Sequence, residues 1–325
     1  MKMNLLKKIS LFLHSMNDAV NCVEGTKTAT FADIVWCGIR YGASPNNYVN
    51  FDLKNANSKQ RKTYLTHRRS EYIMKKYNDN DYIWQLEDKY AFAVLMGDQY
   101  GRSFAKSNTL SKEDLLKLID NDKIIYKPLR GGQGIGIKVF DKKEYPEINK
   151  MLLEIQRLPE GIVEEWILQD ERMSMLYPDA VNPIRIQSLR TDNVHIIAAT
   201  ITIANETNIA NASGQKAIFA LVDINNGVVI TDGYDYNGNS YITHPMTGVE
   251  IKGFNIPQWD EVKCLVMEAS IKINNVRYIG WDIAISKNGP IIIEANNDPG
   301  YTAYQLPLLT GEHKGIWPIY KKYIS

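Results

Sequence analysis

The sequence predicts an α+β protein with antiparallel sheets. Two observations carry that reading. The first 85 residues or so read as mostly helical and basic, and after helices at Lys89 and Ser111 the period changes and a series of strands follows. Helices and strands are mixed without the one-for-one alternation that a doubly wound parallel sheet needs. With 325 residues, 44% hydrophobic and 23% charged, the chain can bury a substantial core, and its length suits a few subdomains.

The elements follow in order. Lys7 and Lys8 precede an apolar run, but Ile9 to Leu13 is only five residues before His14 interrupts it. A secretory segment needs about 7–15 apolar residues and a membrane helix about 20. An amphipathic helix packed on the body is therefore expected, with peripheral membrane contact as the alternative. Tyr41–Leu53, "YGASPNNYVNFDL", reads as a loop. A helix runs from Lys89 through "KYAFAVLM" to Gly97, and a second opens at Ser111, an N-cap with Glu113 and Asp114 in the first turn. Strands are expected at "KIIYKP", "GIKVF", "GIVEEWIL", "PIRIQSLRT", "VHIIAATITIA", "AIFALVDI" and "GVVIT". A helix at "WDEVKCLVMEASIKI" precedes a hairpin, "YIGWDIAISKNGPIIIEANN". Domain boundaries are expected near residues 85 and 166: a helical N-terminal region, a small subdomain over 86–166 and a larger one over 167–325.

Charge and cysteines exclude several classes. The 38 basic and 37 acidic residues leave a net charge of +1, without the basic excess of a general nucleic-acid binder. Cys22, Cys37 and Cys264 form neither a metal knuckle nor a disulfide framework, which points to a reducing compartment, the cytoplasm.

Fifteen residues, "YKPLRGGQGIGIKVF" (Tyr126–Phe140), hold four glycines. They lack the GK[ST] end of a Walker loop. Ile135, Ile137 and Val139 alternate with Gly136, Lys138 and Phe140, so a strand follows and not the helix of a Rossmann loop. Gly131 to Gly134 then tip a β-hairpin whose amides can approach phosphate, with Lys127 held extended before Pro128. An ordinary flexible hairpin is the competing reading of the loop alone.

Partners lie downstream. Folding the last hairpin about Asn288 sets Asp282 opposite Glu294, and Asn296 shares a face with Glu294. Two carboxylates and an amide oxygen form a hard-oxygen site suited to Mg²⁺. "GIVEEWILQDE" suits a hinge with Ile167 packed on an adenine. Arg185 and Arg190 lie five apart, so on a regular strand only one faces the site.

With these pieces in order the chain resembles the ATP-grasp enzymes. More narrowly it resembles the sugar-transfer-associated ATP-grasp family of bacterial surface-polysaccharide genes, from "YGASPNNYVNF" through "EDKYAFAVLMG", "YKPLRGGQGIGI", "VEEWI", "NPIRIQSLRT", "THPMTG" and "IPQWDEV" to "IIIEANNDPG". The resemblance implies an ATP-grasp fold, two α+β subdomains gripping ATP, with a reduced helical N-terminal region. It implies that Lys89 and Lys127 hold ATP phosphates beneath a lid of Gly131, Gly132, Gln133, Gly134 and Gly136. Glu164, Glu165, Trp166 and Ile167 would form the adenine hinge, and Asp170 or Glu171 would bind ribose. Asp282, Glu294 and Asn296 resemble ligands for Mg²⁺, two ions with Mn²⁺ as a substitute, and Arg185 lies near the γ-phosphate. "ATITIANETNIANASGQKAIF" keeps Asn211 but replaces a Gly-Gly pair around Lys216 and lacks the usual arginine. Asn211, Lys216 and His244 are the substrate-side candidates.

ATP-grasp enzymes activate a carboxylate as an acyl-phosphate and let an amine displace the phosphate. The implied activity is therefore a carboxylate–amine ligase, joining a sugar acid to an amino acid or other amine in capsule or O-antigen synthesis. Alternatives are a small-molecule kinase on the same ATP site and a non-catalytic nucleotide-binding accessory of polysaccharide assembly.

Overall fold

A computed structural model describes residues 5–132, 134–205 and 217–324. The chain divides into two compact units, Met1–Lys76 with Gly300–Ser325, and Tyr77–Pro299. The C-terminal segment thus groups with the N-terminal helices, a division that sequence periodicity does not reveal.

The first unit is helical: α1 (Leu5–Cys22), α2 (Lys27–Tyr41), α3 (Pro45–Asn50), α4 (Ser58–Arg61) and α5 (His67–Tyr77), with short helices at Pro307–Thr310 and Trp317–Tyr320. The stretch expected as a loop holds α3. Ser44 and Asn47 form a reciprocal capping box and Pro45 takes the first helical position, where its missing N–H costs nothing. Ile34, Cys37, Tyr48, Phe51 and Tyr64 are buried together, with the Phe51 and Tyr64 rings stacked 4.7 Å apart. Gln305, fully buried, accepts from the Leu65 N–H at 2.9 Å and donates to its carbonyl at 2.8 Å. That reciprocal pair satisfies backbone groups that burial would otherwise leave costly.

The second unit holds two antiparallel sheets. The smaller contains β1 (Phe104–Lys106), β2 (Lys123–Pro128), β3 (Lys138–Asp141) and β4 (Gly161–Glu165) in the order β1-β4-β2-β3. After α6 (Trp84–Glu87) and α7 (Lys89–Met96), helices α8 (Lys112–Leu118) and α9 (Ile148–Arg157) back this sheet, burying Leu115, Leu118, Met151 and Ile155 against Ile124 and Phe140. Met151 and Ile155 lie four apart, one helical face, so α9 carried a sequence signal that the strand-rich reading passed over.

The larger sheet follows α10 (Glu171–Leu176). Its strands are β5 (Ile184–Arg190), β6 (Val194–Ile203), β7 (Ile218–Val222), β8 (Gly233–Tyr234), β9 (Ser240–Tyr241), β10 (Tyr278–Ser286) and β11 (Gly289–Asn296), ordered β11-β10-β5-β6-β7-β8-β9. Helix α11 (Trp259–Lys272) sets Val262, Val266 and Ala269 into the same core as Ile184, Ile186, Trp281 and Ile283. "GVVIT" does not form a full strand. Val228 and Val229 make isolated bridges to Asn255 and Val222, because Gly227 at φ 75° and the turn before it redirect the chain. Among the described residues no helix is long and apolar enough to cross a membrane.

Candidate active site

A cleft of 340 Å³ lies in the second unit, lined by the β2 lysine and the glycine loop on one side and by residues of β5, β10 and β11 on the other. Pairing within the small sheet builds the first wall. Ile125 of β2 lies opposite Glu164 of β4, and Lys127, two residues on, shares that face. The diagonal spacing lets the Lys127 ammonium donate to Glu164 Oε2 at 2.9 Å, with both side chains almost sealed from solvent.

Arg102 completes the cluster. Its Nε and Nη2 donate to Glu164 Oε2 at 2.9 and 2.8 Å, and the Tyr100 hydroxyl donates to Oε1 at 2.7 Å. The guanidinium lies 3.8 Å from the Tyr100 ring centroid and donates to the Ile292 carbonyl of β11 at 2.5 Å and to the Ile293 carbonyl at 3.3 Å. Gly101 makes this approach possible: at φ 75° it runs so close to Ile291 that a Cβ would collide with that side chain. Burial would raise the Glu164 carboxyl, but Arg102 and Lys127 outweigh it and hold the group at about 2. Burial, helped by Arg102, lowers the Lys127 ammonium against the pull of Glu164. One buried carboxylate serves two cations, so the wall keeps a net positive charge facing the cleft.

The glycine loop has the expected strand–loop–strand form, with Tyr126 paired to Lys138 before the chain opens. Gly131, Gly134 and Gly136 have φ of 113°, 73° and 78°, a region that side chains with a Cβ rarely enter. Lys89, in the first turn of α7, donates its N–H to the Leu129 carbonyl and its Nζ to the Gly131 carbonyl at 2.7 Å. Asp88 caps the same helix by accepting from Tyr90 and Ala91 N–H. Arg130 lines the cleft as a further cation.

The opposite wall is acidic. Asp282 of β10 pairs in register with Glu294 of β11 and with Arg185 of β5. Arg185 holds Asp282 by two bonds, Nε to Oδ1 and Nη2 to Oδ2, the latter at 2.8 Å. Burial and the neighbouring Glu294 push Asp282 up to about 7 despite that guanidinium. Asn296 donates its amide to Glu294 Oε1 at 3.3 Å. Two carboxylates and an amide oxygen are a hard-oxygen set suited to a small divalent cation that completes its shell with phosphate or water. No group of three His, Cys, Asp or Glu gathers into a fuller cage among the described residues.

Between the walls, Trp166 and Ile167 line the cleft where the chain passes from β4 towards the large sheet. That crossing is tied down by Lys287 N–H to the Leu168 carbonyl and Asp170 N–H to the Ile285 carbonyl, both at 2.9 Å. Ala180, Val181 and Pro183 add an apolar floor. Asn182 fixes this segment, donating to the Met173 and Tyr177 carbonyls and accepting from Ala204 N–H.

Lys89, Lys127, Gly131, Gly132, Gly134, Trp166, Ile167, Arg185, Asp282 and Glu294 therefore share one cleft. Gly136 lies in the loop just behind it. Several candidate side chains are engaged outside the cleft. The Glu164 side chain turns inward from the hinge; it is 1% exposed and anchors Lys127 and Arg102. The Glu165 carboxylate turns away to accept from Asn121 and Ser103 N–H. Asp170 caps α10 through Arg172 and Met173 N–H, and neither it nor Glu171 lines the cleft. His244 is fully buried between the Ala204 carbonyl and Thr247, which makes it a core residue and removes it from substrate contact. Gln133, Asn211 and Lys216 lie outside the described residues. Arg102 and Arg130 were not anticipated. Nothing in "QYGRSF" announces Arg102, whose partners are 62 and 190 residues away.

Comparison with protein families finds that the model described as sugar-transfer associated ATP-grasp matches residues 67–314. Comparison with curated proteins finds no match. Solved structures similar to the chain include the ATP-grasp ligase PsnB complexed with minimal precursor, at 15% identity over 76% of this chain and TM-score 0.45. D-alanyl-alanine synthetase A from Vibrio cholerae is similar at 11% over 71% with TM-score 0.44. L-amino acid ligase from Bacillus licheniformis is similar at 14% over 74% with TM-score 0.41. The chain spans 63%, 61% and 48% of those proteins respectively.

Proposed function

The chain belongs to the sugar-transfer-associated ATP-grasp family, and from that membership we propose that it is an ATP-dependent ligase joining a carboxylate to an amine. Its mixed architecture with two antiparallel sheets is that of the ATP-grasp fold. One observation carries the functional reading: a cationic wall of Lys89, Lys127 and the glycine loop faces an acidic wall of Asp282 and Glu294 across a single cleft. A triphosphate needs both, cations for its oxygens and carboxylates for the metal it brings.

In this reading the adenine lies against Trp166 and Ile167, and its phosphates run beneath the loop towards Lys127. Asp282, Glu294 and Asn296 hold Mg²⁺, which when bound neutralises charge on the transferring phosphoryl group. A substrate carboxylate attacks the γ-phosphorus, forming an acyl-phosphate and ADP. An amine then attacks the acyl carbon and phosphate leaves. Arg185 is the cation beside the acids and the group suited to the oxyanion of that second step. The glycine loop closes over the phosphates and excludes water, which would otherwise hydrolyse the acyl-phosphate. The family's association with sugar transfer supports a sugar acid, a uronic acid, as the carboxylate partner, with an amino acid or other amine as acceptor, in capsule or O-antigen synthesis in the cytoplasm.

The test is turnover of ATP and Mg²⁺ with panels of uronates and amines. Release of ADP and phosphate that needs both partners, with an amide product by mass, is the expected result. A stable phosphorylated sugar formed without amine would make the protein a kinase, and bound but unhydrolysed ATP across the panel would make it an accessory.

A further inference from the structure

The first unit contains a pocket of its own, of 450 Å³, within the range of small-molecule sites. Four cations line it, Arg40, Lys62, Arg69 and Lys321, together with Trp317 and Thr63, and no carboxylate does. Five of the unit's acids are paired elsewhere: Asp18 with His14, Asp33 with Arg61, Glu71 with His67 and Lys75, Asp52 with His313, and Glu312 with Lys314. Four uncompensated charges in one hollow are notable in a chain whose whole excess is +1.

The geometry of Arg69 is specific. Its guanidinium carbon lies 4.9 Å from the Trp317 ring centroid, so the plane is supported from one side. Nη1 donates to the Lys62 carbonyl at 3.0 Å and to the Tyr64 carbonyl at 2.5 Å. The Trp317 backbone is itself held, its main-chain N–H donating to the Thr63 carbonyl at 2.9 Å. What remains is the Nε–Nη2 edge, which has no protein partner among the described residues. That edge is the fork that grips two oxygens of an oxyanion. The protein uses the same edge of Arg185 on Asp282. Burial and the adjacent Arg68 push Arg69 down to about 10, as expected of a cation lacking a counter-charge.

We propose that this pocket is a second anion site that binds a phosphate-bearing ligand, with Arg69 as its fixed fork and Arg40, Lys62 and Lys321 as surrounding charge. A single carboxylate would leave three of the four cations uncompensated, so a multiply charged group of the diphosphate class fits best. The group can belong to a soluble phosphate ester or to a lipid headgroup. The site is independent of the ATP cleft, and its reading does not rest on the proposed ligase chemistry.

The test is calorimetric titration of the full chain with inorganic pyrophosphate in metal-free buffer, comparing wild type with Arg69→Gln, Lys321→Gln and Lys127→Met. Arg69→Gln is expected to weaken binding roughly tenfold or more, and Lys321→Gln, at an exposed position that spares the fold, about threefold to tenfold. Lys127→Met removes the main phosphate contact of the other cleft, and pyrophosphate binding that depends on Arg69 should persist in it. If Lys127→Met removes binding while the other two variants do not, the anion belongs to the ATP cleft and the proposal is overturned. The absence of any saturable binding at millimolar pyrophosphate overturns it as well. Flotation with phosphatidylglycerol against phosphatidylcholine vesicles separates the sources. Flotation lost in Arg69→Gln assigns the phosphate to a lipid headgroup, and pyrophosphate binding without flotation assigns it to a soluble ligand.

Discussion

Asp282 and Glu294 are direct partners across β10 and β11, and a one-residue bulge puts them there. From the turn, Ser286 pairs with Gly289, Ile285 with Pro290 and Ile283 with Ile292, so an unbroken ladder would set Ile293 opposite Asp282. The register shifts between Asp282 and Ile283, and Ile293 and Glu294 both reach the cleft. Bulges of this kind re-aim side chains beside functional sites.

The paired acids should govern the metal. Asp282→Asn and Glu294→Gln are each expected to raise the Mg²⁺ concentration needed for half-maximal ATP turnover by about ten- to a hundredfold. The melting temperature of Glu294→Gln should stay near wild type, because that position is only half-buried, whereas Asp282→Asn also weakens the pair with Arg185. ADP release measured across a Mg²⁺ titration checks this, and full turnover by Glu294→Gln at low Mg²⁺ would sink the metal assignment.

Glu164 and Lys127 should behave asymmetrically. Removing the carboxylate as Glu164→Gln leaves Arg102 and Lys127 buried side by side, a loss of roughly 3–5 kcal/mol for a broken buried pair. Lys127→Met leaves Glu164 still bonded to Arg102 and Tyr100. It should therefore cost less stability while removing a phosphate contact. Thermal melts paired with ATP titrations separate the two, and equal destabilisation by both variants would contradict the shared-carboxylate account.

The same residue gives an acid limit. Glu164 sits at about 2 in the folded protein and near 4.3 in an unfolded chain. A depressed carboxyl contributes stability that is complete above the unfolded value and is lost as pH falls from about 4.3 towards 2. Urea midpoints at pH 5 and pH 3 should fall steeply for wild type and less steeply for Glu164→Gln, which has no such proton to gain. Parallel pH slopes would rule the mechanism out.

How far the site was legible depends on the range of the interactions. Lys127 was readable because its cue is local, a lysine held extended before Pro128, whereas Lys89 was reached through the family resemblance, on a helix whose Asp88 cap the structure supplies. The pairing of Asp282 with Glu294 was anticipated by folding the hairpin about Asn288. The observed turn, Ser286 to Gly289, would miss it by one residue without the bulge, which period-two reading cannot detect. The anchoring role of the Glu164 side chain was not legible because "VEEWI" shows only that a carboxylate ends a strand. Its burial depends on Arg102 arriving from outside the sheet. His244 sits in "THPMTG", whose polar character suggests a surface loop, yet the chain folds it under Tyr177.

The loop glycines should differ among themselves. Gly136 has φ 78°, and an added Cβ would lie 2.8 Å from Pro128 Cγ; Gly132 has open space around its position and no positive φ. Gly136→Ala is expected to cost about 1–2 kcal/mol of loop strain and to weaken ATP binding several-fold. Gly132→Ala should leave stability within about 0.5 kcal/mol. Equal ATP affinity for the two variants would mean that the loop's backbone geometry does not matter to the nucleotide.

Arg102 joins the two walls, because one guanidinium bonds both the carboxylate that holds Lys127 and the carbonyls of Ile292 and Ile293 at the bulge. Charge alone cannot do this: a lysine offers no planar fork and no stacking surface for Tyr100. Arg102→Lys should therefore retain the neutralisation of Glu164 while releasing the bulge, with turnover falling roughly tenfold or more and the Mg²⁺ requirement rising. A purely structural role would lower the melting temperature without moving the Mg²⁺ midpoint of the molecules that remain folded. The decisive measurement is that midpoint at a temperature where both proteins are fully folded. A shifted midpoint identifies Arg102 as a positioning residue for Asp282 and Glu294, and an unchanged one confines it to the core.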